Sequence, residues 1–412
     1  MIPIGALDGG PVGFVSPLGE VDVQPFGIRI AWCVLAEDGL RDPATATTRR
    51  QWCDGAVVET AIRVHDGDVV LRTFATREAL VLEFDNSTSA ACAIGLVVDG
   101  DPRRVWSRRP VAHWCRSADR DAVFGAIANG TTHAGDPPQE NIAGASTGLV
   151  WPLAHRATLR VVAGDRPRRA PAVSGRRSAC VPAEDVGVDD VRRAWMVHLG
   201  RGLRTEIDDR VLQHAVDAAR IGLLVRARTA GGRLAPPIVA ALEDWGFDDE
   251  AIVAWDRLGI RDRRRLRRCR IDPHWAWARL LAAQESGDGV GLLNALRALL
   301  VDDKSGGVDL LAGFPPAWLG LGVAAHDVPV RGGTVSFALR WHAARPALLW
   351  EVTGDLVVRA SRLAPGWSSD RNAGEALLPE PSHDLFAHHG TAGRPDAVHG
   401  GRGAAPQPTS FS

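Results

Sequence analysis

The stretch EIDDRVLQHAVDAARIGLLV, residues 206–225, is where the hydrophobic pattern of this 412-residue chain changes period. Ile207, Val211, Leu212, Ala215, Ala219 and Leu223 recur at helical spacing, and Asp208 or Asp209 stands where an N-cap is needed. The stretch predicts an amphipathic helix, and it divides a strand-rich part upstream from a helical part downstream.

Upstream, VVETAIRV (57–64), DVVLRTF (68–74), ALVLEFDN (79–86), CAIGLVV (92–98) and ATLRVV (157–162) are short, β-branched and bounded by turn residues. Val58, Ile62 and Val64 share one face at period two, which predicts strands with one face buried, as in a β-sandwich. Residues 164–188 are rich in Pro, Gly, Ser and Arg and read as a linker or strap.

Downstream, PPIVAALEDWGFDDEAIVAWDRLG (236–259) reads as two helices with a very short joint. Pro236 and Pro237 suit a first turn, Gly246 a left-handed helix end and Asp248 the next N-cap. A further helix starts at Asp272-Pro273, and another covers about Val290 to Leu300. Strand signals return from Val308, with a half-buried hairpin in GGTVSFALRWHAARPALLWEV (332–352), where Val335, Phe337, Leu339 and Trp341 share a face and AARP makes the turn. The tail from about Pro379 lacks periodicity, and its composition predicts disorder.

Composition narrows the function classes. A net charge of -1 gives no global field toward nucleic acid or an anionic membrane. No run approaches the roughly 18 apolar residues of a membrane span, and MIPIGALDGG does not read as a signal peptide. Six scattered cysteines, Cys33, Cys53, Cys92, Cys115, Cys180 and Cys269, have no metal-ligand spacing and predict reduced thiols in the cytoplasm. Tyrosine is absent, so acid, base or nucleophile must come from carboxylates, His, Cys, Ser or Thr. Lys304 is the one lysine, and the arginine-rich run RDRRRLRRCR (261–270) has no interleaved aromatics, so it reads as a solvated interhelical connection or an interaction surface. His383, His388, His389 and His399 match no zinc spacing, and neither a metal nor a cofactor is expected.

The order of elements resembles the six-hairpin glycosidases, the (α/α)-barrel superfamily of glucoamylases, trehalases, glycogen-debranching enzymes and bacterial rhamnosidases. DGGPVGFVSPLGEVDVQPF (8–26) is similar to a glucoamylase-type opening hairpin. VRRAWMVHLGRGLRTEIDDRVLQHAVDAARIGLL (191–224) and FDDEAIVAWDRLG (247–259) are similar to barrel helices, and residues 332–352 to rhamnosidase-type C-terminal strands. The resemblance implies a multi-domain α+β protein: a β-sandwich over 1–163, a linker over 164–188, a partial (α/α)6 toroid over 189–307, a C-terminal β region over 308–378 and a tail over 379–412. It also implies a glycoside-hydrolase-like protein of carbohydrate metabolism, either active with an inverting reaction or degenerate and reduced to glycan binding, with an oligo- or polysaccharide partner. The alternative is a non-catalytic scaffold or protein-interaction module. A complete barrel has twelve helices, whereas residues 189–308 have room for five to seven. No stretch matches either catalytic motif of the family, so none of its catalytic residues carries over.

An inverting glycosidase needs two carboxyls roughly 6.5–9.5 Å apart, one protonated and one ionised. Glu243 and Asp244, beside Trp245 at a helix end, are the candidate pair, and their alternative reading is a solvated helix terminus. Trp245, Trp275 and Trp277 are candidate sugar-stacking rings. Trp275 and Trp277 stand about 200° apart around a helix, so at most one faces a given cleft. Asp272 is the N-cap in that reading, and Glu351 is a remote candidate acid in a region that supports the barrel in the family.

Overall fold

The computed structural model describes residues 1–137, 142, 144–165, 182–183, 185–229, 234–266, 270–304 and 307–381. It is a mixed α+β protein, with four sheets among the described residues. Most of the linker, Cys180, Cys269 and the four tail histidines lie outside the described residues.

Two antiparallel sheets occupy the first part. One runs Ile2–Ile4, Val12–Val15, Val21–Gln24, Ile28–Ala36, Cys92–Asp99, Ser146–Leu153, His113–Ser117 and His133–Ala134, with Gly39–Arg41 on the side. The other runs Val105–Trp106, Thr158–Gly164, Ala79–Asn86, Gly67–Ala75, Val57–Val64 and Arg49–Asp54. They pack face to face on a core that includes Trp32, Trp151, Phe84, Ile62 and Leu71. Helix α1 (Arg120–Ala128) covers part of the first sheet's outer face through Val123 and Ile127. Gly95 and Gly148 permit that approach: a Cβ would lie 2.7 Å from Cys33 Sγ at Gly95 and 2.5 Å from Cys115 Sγ at Gly148.

The expected one-sided burial of the second sheet is corrected by the structure. In Val57–Val64 every residue except Arg63 is buried. Alternation still sorts them: Val58 and Ile62 face the first sheet, while Val57 joins Phe74, Val81 and Val162 in a second core under the helices. Beside that apolar patch a charged row crosses four strands in register, Glu59 opposite Arg72, Arg72 opposite Glu83 and Glu83 opposite Arg160.

Seven helices follow among the described residues: α2 (Val188–Leu199), α3 (Arg210–Thr229), α4 (Pro236–Asp244), α5 (Asp248–Asp256), α6 (Ile260–Arg265), α7 (Pro273–Ser286) and α8 (Gly289–Leu300). Asp209 caps α3, its Oδ1 accepting from the amides of Val211 and Leu212 at 3.0 and 3.1 Å. Ile207 falls instead in a strand, Arg204–Ile207, and Val211 is 69% exposed. Asp248 is the first helical residue rather than the cap, which is Phe247 with no side-chain bond; its charge in the first turn still suits the helix dipole. Asp272 caps α7 as expected, accepting from His274 N. The arginine-rich run is partly helical, forming most of α6.

The strand Arg204–Ile207 pairs with Val323–Val330 and edges a five-stranded sheet completed by Gly333–His342, Arg345–Thr353 and Ala373–Leu377. The segment 189–307 is therefore not purely helical. The hairpin turns at Ala343 and Ala344, with Val335, Phe337 and Leu339 buried and Trp341 half-buried. A four-stranded sheet of Val301–Lys304, Gly307–Leu310, Val357–Arg359 and Ser368–Ser369 closes the molecule. One continuous core joins the helices, both C-terminal sheets and the outer face of the second N-terminal sheet.

Candidate functional site

The α4–α5 corner holds the predicted acids. Gly246 takes φ +70°, which turns the chain within two residues of α4's end. The following core packing fixes the corner: Leu203 N donates to Trp245 O at 2.9 Å, and a Cβ on Gly202 would lie 2.5 Å from that same oxygen.

Glu243 and Asp244 leave this corner in different directions. Exposed Glu243 accepts a hydrogen bond from Trp255 Nε1 of α5. Half-buried Asp244 lines a cleft with Arg270, Ile271, Asn294, Arg297 and Asp303, so its charge partners come from the loop before α7, from α8 and from the strand after it. Glu243 does not line that cleft, as expected for adjacent helix-end residues that point about 100° apart.

Trp245 is fully buried, its Nε1 donating to Leu293 O at 3.1 Å and the Arg220 guanidinium 5.9 Å from its ring centre. It has no free face for a sugar, which corrects the stacking assignment. Trp277 is half-buried, edge-on to buried Trp318 at 6.1 Å in an aromatic group with Phe314 and Trp341. Trp275 is 51% exposed beside His274, on the side of α7 away from this group. The three rings do not line one cleft. Glu351 is exposed on the C-terminal hairpin.

The Asp244 cleft contains the charges that sequence reasoning missed. Arg297 is 6% exposed and donates to Val301 O at 2.7 Å and Pro329 O at 2.8 Å. Asp303 lies 3.5 Å from Arg297 and 3.6 Å from Arg270, and its Oδ1, like Arg297 Nε, is buried without a hydrogen-bond partner. Burial pushes the Asp244 carboxyl above its ordinary range; Arg297 and Arg270 pull against this, and Asp303 adds to it. The readable signal was Arg297 itself, a lone arginine in the apolar helix GVGLLNALRALL.

The cleft encloses about 60 Å³, room for water but far below the roughly 300 Å³ at which ligand pockets begin. Three carboxylates, Asp244, Asp302 and Asp303, and two guanidiniums, Arg270 and Arg297, line that space, and a pyranose ring does not fit between them. Thiol chemistry is no better placed: burial pushes Cys33 and Cys53 up to about 12, so neither supplies a thiolate near neutrality. No group of three or more metal-ligating side chains occurs among the described residues.

No family model matches the chain, and no curated protein matches it.

Proposed function

We propose that this is a non-catalytic interaction protein built on a glycosidase-like architecture, with a β-sandwich, a partial (α/α) toroid and a C-terminal β region. The observation that carries the reading is the closure of the Asp244–Asp303 cleft by Arg297 and Arg270. An inverting pair needs room for a sugar and a water between its carboxyls, and this cleft of about 60 Å³, lined by both guanidiniums, does not supply it. The resemblance to glycosidases supports a role in carbohydrate metabolism, and the free thiols Cys33, Cys53, Cys92 and Cys115 suit a cytoplasmic address. No described helix is long and apolar enough to cross a membrane.

The helical layer offers the interaction surface. Met196 and Val197 of α2 and Ile252 and Val253 of α5 are more than half exposed, and α2 and α5 are tied together by the contact of His198 with Glu250 at 3.1 Å. Apolar side chains exposed on adjacent helices suit a protein partner. A second reading, glycan binding without hydrolysis, is favoured by exposed Trp275, whose ring is open to stack on a sugar.

Purified protein incubated with α-glucans and rhamnosides, with released sugar quantified, tests the reading. No turnover is expected. Turnover that disappears in Asp244→Asn overturns it. Isothermal titration with the same sugars separates the two readings: heat from wild type that is lost in Trp275→Ala selects the glycan.

A further inference from the structure

The geometry points to a binding site for a small oxyanion-bearing molecule, carrying a phosphate or a carboxylate, at the Ser107-Arg108-Arg109 turn on the edge of the second N-terminal sheet. It lies outside the Asp244 cleft and stands independently of the function proposed above. Two cavities, about 310 and about 480 Å³, flank this turn and share its three residues. Both fall in the roughly 300–1,000 Å³ range of small-molecule sites.

The larger cavity is lined by Glu83, Ser107, Arg108, Arg109, Thr158 and Arg160, three guanidiniums and two hydroxyls against one carboxylate. That carboxylate is already neutralised. Glu83 is 5% exposed and accepts from Arg160 Nε at 2.6 Å and from Arg72 at 3.2 Å. The charged row across the sheet thus alternates sign until it ends in Arg160, and the turn adds two cations beyond the last acid. Arg108 pairs with Asp185 at 2.6 Å. The Arg109 side chain has no hydrogen bond or ion pair among the described residues, and it is exposed at the cavity.

The backbone of Arg109 is nonetheless held on both sides. Its N–H donates to Ser107 Oγ at 3.2 Å, and its carbonyl accepts from Trp151 Nε1 at 3.2 Å. Trp151 is a fully buried residue of the first sheet, so the turn is pinned to the core. A cation on an anchored backbone, next to two other guanidiniums and two hydroxyl donors, is arranged to receive an oxyanion at small ordering cost. The cavity is large enough for a sugar body attached to that oxyanion.

The test is isothermal titration of the full chain with inorganic phosphate, a hexose phosphate, glucuronate and glucose. Saturable binding of the hexose phosphate or glucuronate, with none of glucose, is expected, and which of the two binds distinguishes phosphate from carboxylate. Arg109→Gln should weaken that binding by about tenfold, as loss of a charge-assisted contact does, without moving the melting temperature. The control Arg331→Gln, an exposed arginine at a C-terminal turn, should bind as wild type does. Absence of binding by every anion, equal binding of glucose, or unchanged affinity in Arg109→Gln overturns the assignment.

Discussion

Asp244 and Asp303 share a cleft and the same two arginines, but burial dominates at Asp244 whereas Asp303 is in close ion-pair contact with both, and this predicts opposite responses to the same substitution. Burial raises the Asp244 carboxyl above its ordinary value of 3.8, so the folded state holds a proton that the unfolded chain has released. Stability from this group therefore falls as pH rises through the interval between the two values. Asp244→Asn should leave stability at neutral pH equal or higher and should remove that part of the pH slope, as read by urea unfolding at several pH values. Asp303→Asn should cost about 3 kcal/mol, because it leaves the buried Arg297 guanidinium without its nearest carboxylate. Trp245→Ala should cost about 3–5 kcal/mol through the cavity left in the helical core, and the same unfolding measurement reads it. At this scale the sequence marked Glu243, Asp244 and Trp245 by type and adjacency. Their directions were illegible, because a helix end sets them only when its neighbours are known.

At the scale of elements, α2, α3 and α5 are clasped at one point. His198 Nε2 lies 3.1 Å from Glu250 and 3.2 Å from Arg228, whose guanidinium donates to Glu250 at 2.7 Å. Burial lowers the His198 pKa below its ordinary 6.5; Glu250 opposes this, and Arg228 and Arg201 reinforce it. Below pH 6.5 the unfolded chain takes up a proton that the folded imidazole refuses, so stability is present above 6.5 and is lost as pH falls toward the lowered value. His198→Gln should flatten the urea midpoint across that interval, and an unchanged slope would remove His198 from the account. The α4–α5 corner predicts a second effect: Gly246→Ala should cost about 1 kcal/mol, since its φ of +70° is unfavourable for a residue with a Cβ. Helix starts at Asp209 and Asp272 were legible because caps and prolines act locally. The strand Arg204–Ile207 was not, since its partner Val323–Val330 lies far along the chain and no local period announces it.

For the whole molecule, the second N-terminal sheet is a wall shared by two cores. Val58 and Ile62 fill the inter-sheet core, while Val57, Phe74, Val81 and Val162 belong to the core under the helices. A fragment beginning near residue 185 would expose that apolar face of the helical part. It should be insoluble or lack fixed near-ultraviolet circular dichroism, whereas the full chain should unfold without a separate transition for residues 1–164. Two well-separated calorimetric transitions would show that the shared wall does not couple the parts.

By itself the sequence determined the mixed α+β class, most strand and helix positions, the Asp272 cap, the α4–α5 turn and the C-terminal hairpin. All of these depend on residues close in the chain, where period, capping and backbone freedom act. Only the tertiary structure decided that the second sheet is buried on both faces, that Trp245 is core, that Glu243 and Asp244 part company, and that Arg297, Arg270 and Asp303 close the cleft. It also placed Arg109 beside Arg160, two residues from different strands and turns. Those outcomes depend on which surfaces meet across long separations, and burial and charge pairing exist only once they have met.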